Sequence, residues 1–260
     1  MEFGQPVVMG ILNLTPDSFY AGSRMQTEDE VEARVQQILA EGAAIIDVGA
    51  CSTRPGADFV SEAEEMSRLE WGLRVLRRVA PEAVVSVDTF RASVARRCVE
   101  VYGVQIVNDI SGGDMDEAMF PMVADLGVPY VLTHNGASQG DLLADMLQYL
   151  GQRVERLHAL GVKDILLDPG FGFGKSLEEN YLLMRRLSDL SVLELPLLVG
   201  VSRKSMIYRL LDITPQEALN GTTVLHTLAL MQGASILRVH DVRQAVESIK
   251  ITQRICSNSE

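Results

Sequence analysis

Basic, aromatic and cysteine residues are scarce in this chain. Its 260 residues include 23 Lys and Arg against 35 Asp and Glu, with 5% aromatic side chains, one Trp and three Cys. The formal net charge of −12 at pH 7 repels polyanions, which argues against diffuse electrostatic binding to nucleic acid or to an anionic membrane surface. An anionic ligand would have to be met by a local group of cations. Cys51, Cys98 and Cys256 are too few and too scattered for a disulfide framework or a CxxC metal site, a usage that fits a reducing, cytoplasmic compartment. No stretch approaches the ~20 apolar residues of a membrane span, and the start Met-Glu-Phe-Gly-Gln-Pro has neither the basic opening nor the apolar run of a signal. Nor does any Ser/Gly/Pro-rich linker or change of composition divide the chain, so one domain over residues 1–260 is expected.

What is present is alternation. Short apolar runs at Val7–Leu14, Ala44–Ala50, Ala83–Asp88, Gln105–Ile110, Tyr130–His134, Ile165–Asp168, Leu197–Val201 and Ile236–His240 read as strands. Between them Glu28–Glu41, Ser61–Val79, Asp116–Leu126, Asp141–Leu160, Leu177–Leu187 and Pro215–Gln232 repeat apolar residues at the three- and four-residue spacing of helices. Strand and helix alternating end to end imply a parallel sheet with crossover helices, and eight such units are the number that closes a (β/α)₈ barrel. A doubly wound sheet would be expected to show a glycine fingerprint after its first strand, where this chain has Asn-Leu-Thr-Pro. Nearly every strand ends in a polar residue: Asn13, Asp47, Asp88, Asn108, His134, Asp168, the run Ser202-Arg203-Lys204, then Arg238 and His240. In a barrel these ends converge on one face, where active sites are built.

The loop Gly170-Phe-Gly-Phe-Gly-Lys-Ser176 ends like a phosphate-binding P-loop, but Pro169 stands where that motif needs its first glycine. The carboxylates Asp88 and Asp168 could form a metal pair, a general acid/base couple or hydrogen-bond acceptors for a ligand, and each could instead cap the following helix. Arg54, Arg203, Lys204, Arg238 and His240 follow or end strands in an otherwise acidic protein, which points to an anion at the mouth. Arg238 and His240 alternate along one strand and so face one side. No His/Cys spacing fits zinc.

Taken together, Met9-Gly-Ile-Leu-Asn-Leu-Thr-Pro-Asp-Ser-Phe19, Ser52-Thr-Arg-Pro-Gly56, Ser86-Val-Asp-Thr89, Asn108-Asp-Ile-Ser-Gly112, Leu167-Asp-Pro-Gly-Phe-Gly-Phe-Gly-Lys175, Ser202-Arg-Lys-Ser205 and Arg238-Val-His-Asp241 resemble, in order, the signatures of the dihydropteroate synthase family. The resemblance implies a (β/α)₈ barrel that condenses 6-hydroxymethyl-7,8-dihydropterin pyrophosphate with para-aminobenzoate, most often as a homodimer. It implies that Asp88, Asn108, Asp168 and Lys204 bind the pterin edge and that Arg238 lies against the ring. Thr53, Arg238 and His240 would hold pyrophosphate, with Asp88, Lys204, Arg238 and His240 as the catalytic group. Asn13 would give Mg²⁺ one oxygen. The arylamine would lie among Phe19, Arg54, Pro55, Phe173 and Lys204, with its carboxylate at Ser205, a helix N-terminus. The chain departs from the family pattern at Ala21, at Ala50-Cys51 and at Thr133, where a methionine is common beside the pterin.

Overall fold

The computed structural model describes residues 4–15, 27–51, 60–138 and 140–256. The chain runs β1 (Val7–Asn13), α1 (Glu28–Ala40), β2 (Ile45–Gly49), α2 (Glu62–Val79), β3 (Val84–Asp88), α3 (Ala92–Tyr102), β4 (Ile106–Asp109) and α4 (Met119–Leu126). It continues with β5 (Tyr130–Thr133), α5 (Leu142–Ala159), β6 (Ile165–Asp168), α6 (Leu177–Arg185), β7 (Leu197–Val199), α7 (Ser205–Leu211), α8 (Leu219–Met231), β8 (Ala234–Val239) and α9 (Val242–Cys256). All eight strands pair in parallel, and β8 returns to β1 with Val7 opposite Ile236 and Met9 opposite Arg238, so the sheet closes into the expected (β/α)₈ barrel.

Local chemistry sets the helix starts. The Thr27 hydroxyl accepts from the Glu30 N–H while Glu30 accepts from the Thr27 N–H, and Ser176 and Glu179 repeat this reciprocal cap on α6. Asp141 caps α5 through the N–H groups of Leu143 and Ala144. The expected helix over Pro215–Gln232 divides into a 3₁₀ turn at Pro215–Glu217 and α8, because the Thr214–Glu217 cap closes the first turn separately. The expected start of a helix at Asp116 also moves, to Met119, since the Asp116 carboxylate instead accepts from the N–H groups of Ala92 and Ala118.

Two apolar cores follow from the period of two along each strand. Met9, Ile45, Ile106, Val131, Leu166, Leu198 and Ile236 pack inside the barrel, while the alternate positions pack outward against the helices. Truncating an inner residue such as Leu198 to Ala should cost about 2–5 kcal/mol, since a closed barrel has little freedom to collapse onto the void. The same alternation continues toward the strand ends, and there the inward residues become polar: Asn13, Asp47, Ser86, Asp88, Asn108, Thr133, Asp168 and Arg238.

Candidate active site

The inward polar residues meet above the inner core. Asp47 is fully buried on β2, and its Oδ2 accepts from Arg238 Nε at 2.7 Å and from Asn108 Nδ2 at 3.1 Å. Arg238 Nη2 donates to Asp88 Oδ2 at 2.5 Å, so one guanidinium from β8 joins carboxylates on β2 and β3. Burial opposes its charge, but Asp47 and Asp88 together hold the Arg238 pKa above its ordinary value. Burial drives the Asp88 carboxyl up to about 7, against the pull of Arg238 and with a further push from Asp47.

The other half of the site gathers around Gly200. A Cβ at that position would stand 3.9 Å from Lys204 Nζ, 4.0 Å from Arg238 Cβ and 4.0 Å from Asp168 Oδ2. The missing side chain therefore opens the space these three groups share. Asp168 Oδ1 accepts from the Gly170 N–H at 2.8 Å, which leaves Oδ2 directed to that opening. Burial raises the Asp168 pKa while the Lys204 ammonium opposes the rise. Burial likewise lowers Lys204 to about 8, with Asp168 acting in the opposite direction. Lys204 Nζ donates to the Phe171 carbonyl and lies 4.6 Å from the centre of the Phe173 ring.

The glycine loop shapes this wall. Gly170 has φ +70°, and a Cβ there would overlap the His134 carbonyl oxygen, so only glycine lets the loop press against the end of β5. Lys175 is buried and donates to the carbonyls of His134, Gly170 and Phe173, acting as an internal tie for the loop.

Ser205 opens α7, as expected for an anion-binding position, and Lys204 precedes it. His240 follows β8, with its N–H donating to Ser202 Oγ and its Nδ1 3.2 Å from the same oxygen. Burial, followed by the Arg238 charge, depresses the His240 pKa to about 3. Asn13 ends β1 in register with Gly49, itself opposite Asp88. Phe19, Thr53, Arg54 and Pro55 lie outside the described residues.

Two expectations change. Arg203, counted among the cations at the mouth, is turned away: its Nε and Nη2 donate to Asp241 at 2.8 and 2.9 Å, and Nη1 donates to the carbonyls of Pro215 and Gln216. Its φ of 54° swings the side chain off the line of Lys204. Asp47, weighed only as a strand-end polar residue, is a central member of the site. The signal for it was the same alternation that made Asp88 and Asp168 inward-facing.

Comparison with known proteins agrees with this fold. The pterin binding enzyme family profile matches residues 9–240. Dihydropteroate synthase of Bacillus subtilis is 43% identical over 251 residues, covering 94% of this chain and 87% of the relative. A crystal structure of dihydropteroate synthase from Clostridium difficile in the presence of pteroic acid superposes with a TM-score of 0.92 at 34% identity, covering 98% of this chain and 99% of that one. The Yersinia pestis dihydropteroate synthase in complex with a sulfonamide drug gives a TM-score of 0.90 at 39% identity, covering 99% and 96%.

Proposed function

This chain belongs to the pterin-binding enzymes and, among them, to the dihydropteroate synthases, and from that premise we propose how its barrel mouth carries out the condensation. The enzyme is a transferase of folate biosynthesis. In the reaction the bond from the pterin methylene carbon to the pyrophosphate oxygen breaks, with its electron pair leaving on pyrophosphate. A carbon–nitrogen bond forms to the amine of para-aminobenzoate, which gives up a proton.

The observation that carries the reading is the convergence of Asp168, Lys204 and Arg238 on the space left by Gly200. A pterin edge presents amino and ring N–H donors, which Asp168 Oδ2 accepts, beside a ring oxygen that accepts from Lys204. Asn108 and Asp88 extend this edge. The planar Arg238 guanidinium, held by Asp47 and Asp88, lies against the ring. The leaving pyrophosphate meets His240 and Arg238, and the arylamine carboxylate meets Ser205, with Phe173 beside its ring. Catalysis then comes from orienting the two reactants and stabilising charge on the leaving group.

The donor set fits Mg²⁺. Among the described residues no three His, Cys, Asp or Glu side chains gather to hold a metal. One amide oxygen from Asn13, completed by pyrophosphate oxygens and water, matches a hard cation that dehydrates reluctantly. When bound there, Mg²⁺ supplies charge neutralisation to the pyrophosphate.

The α8 surface supports a homodimer. Val224, Leu228 and Met231, spaced four and three along the helix, are each exposed. A second copy of the chain covers this face, and light scattering of the parent against Leu228→Glu tests it. Three free cysteines suit a reducing, cytoplasmic site of action, and the net charge of −12 disfavours polyanionic partners. Among the described residues no helix is long and apolar enough to cross a membrane.

The decisive assay is pyrophosphate release from 6-hydroxymethyl-7,8-dihydropterin pyrophosphate with and without para-aminobenzoate. Release that depends on the arylamine, with dihydropteroate as co-product, is expected. Release indifferent to the arylamine would reject the reading.

A further inference from the structure

Just beyond the ends of β7 and β8, two loops are joined at successive residues. Ser202 Oγ accepts from the His240 N–H at 3.2 Å and lies 3.2 Å from Nδ1 of the same histidine. One position further along each loop, Arg203 donates twice to Asp241, at 2.8 and 2.9 Å. From the side of β1, Arg34 Nη2 donates to the His240 carbonyl at 2.7 Å. Both backbone groups of His240 are thus held, and Ser202 is the side chain that holds its ring as well.

The direction of the second bond follows from counting protons. Ser202 is buried, and its hydroxyl offers one proton and two lone pairs. One lone pair takes the His240 N–H, and among the described residues the acceptor within reach of the hydroxyl proton is Nδ1. Were Nδ1 itself protonated, two N–H groups would converge on one oxygen and leave the buried hydroxyl proton without an acceptor, which costs stability. The arrangement that satisfies every group is O–H donating to Nδ1. Burial and the Arg238 charge keep the ring neutral, so its single proton then sits on Nε2.

We propose that Ser202 is a positioning residue for the leaving group: by donating to Nδ1 of His240 it fixes the tautomer in which Nε2 is an N–H donor to pyrophosphate. This rests on the assignment of His240 to pyrophosphate given above. The opposite tautomer would turn the Nε2 lone pair on an anion and repel it. With the proton placed before substrate arrives, the donor needs no reorganisation as charge builds on the leaving oxygen. Arg203 and Asp241 serve the same end by keeping the two loops, and so Ser202 and His240, in register.

Long-range proton–nitrogen correlation NMR of protein labelled at histidine reads the tautomer directly, the His240 signals being those lost in His240→Gln. The parent should show His240 protonated at Nε2, and Ser202→Ala a mixture of the two tautomers. Calorimetric titration with inorganic pyrophosphate in the presence of Mg²⁺ should show Kd raised about fivefold for Ser202→Ala. Titration with 6-hydroxymethyl-7,8-dihydropterin, which carries no pyrophosphate, should give the parental Kd. A parent protonated at Nδ1 would overturn the proposal, and that spectrum decides whether or not Ser202→Ala folds. So would a Ser202→Ala variant that binds pyrophosphate as the parent does, or one that loses affinity for the pterin and for pyrophosphate alike, since the serine would then be merely structural. If His240→Gln binds pyrophosphate with parental affinity, the assignment of His240 falls and this proposal with it; if His240→Gln weakens binding and Ser202→Ala does not, the role of Ser202 alone falls.

Discussion

Arg238 Nε lies 2.7 Å from Asp47 Oδ2, across 191 residues of sequence and the seam where β8 closes against β1. Asp47 is fully buried and Arg238 half-buried, so the pair is largely removed from water. Such a pair adds little net stability compared with apolar residues, but breaking it is costly because the surviving charge is left in a poor solvent. Its value here is geometric. Asp47 and Asp88 each anchor one side of the guanidinium, which fixes the plane that the ring of the substrate meets.

Asp47→Asn should therefore damage catalysis out of proportion to its size. The amide can still accept from one donor but no longer compensates the charge of Arg238, and the folded protein should lose about 3 kcal/mol. Thermal unfolding should show a lower melting temperature, and steady-state kinetics a kcat/KM for the pterin substrate reduced at least tenfold. A variant with parental kinetics would remove Asp47 from the site.

Asp168→Asn turns an acceptor toward the pterin into a donor facing a donor. The expected loss is about 2 kcal/mol or more in binding, some thirtyfold in Kd, because both groups remain buried without partners. Titration with the pterin substrate reads this directly, and an unchanged affinity would show that Asp168 does not bind the ring edge.

Mg²⁺ should bind the ligand-free protein weakly and bind much more tightly once pyrophosphate is present, since Asn13 is the one protein ligand assigned to it. Asn13→Ala should weaken the pyrophosphate-dependent binding and leave the ligand-free titration as it was. Tight Mg²⁺ binding without pyrophosphate would contradict the assignment.

Acid should expose the buried histidine of α8. Burial depresses the His226 pKa from 6.5 to about 4, with Asp241 opposing the shift. The unfolded chain takes up a proton near pH 6.5 and the folded protein does not, so the contribution of this group is complete above pH 6.5 and is lost as pH falls toward 4. The slope is about 1.4 kcal/mol per pH unit. Comparing the parent with His226→Gln isolates it from the other titrating groups: the stability difference should shift in favour of the variant between pH 6.5 and pH 4. A difference that stays constant over that range would show that His226 is protonated equally in both states.

Much of this was legible in the chain itself. Period-two runs alternating with helical patterns determine β/α units whatever their partners, because each strand and each amphipathic helix must bury its apolar side, and eight of them suffice to close a barrel. The polar residue at the end of each strand follows from the same periodicity, which is why Asp88, Asn108, Asp168 and Arg238 could be placed on one face in advance. The tertiary structure alone decided which of those groups meet. The adjoining cations Arg203 and Lys204 part company: with a left-handed backbone at Arg203, one donates to Asp241 and the other to the Phe171 carbonyl. Asp47 acquires its role from the closure of the barrel, which brings β8 beside β1 and extends a guanidinium over β2. Contacts of this kind depend on strand stagger and long-range closure, which local periodicity does not encode.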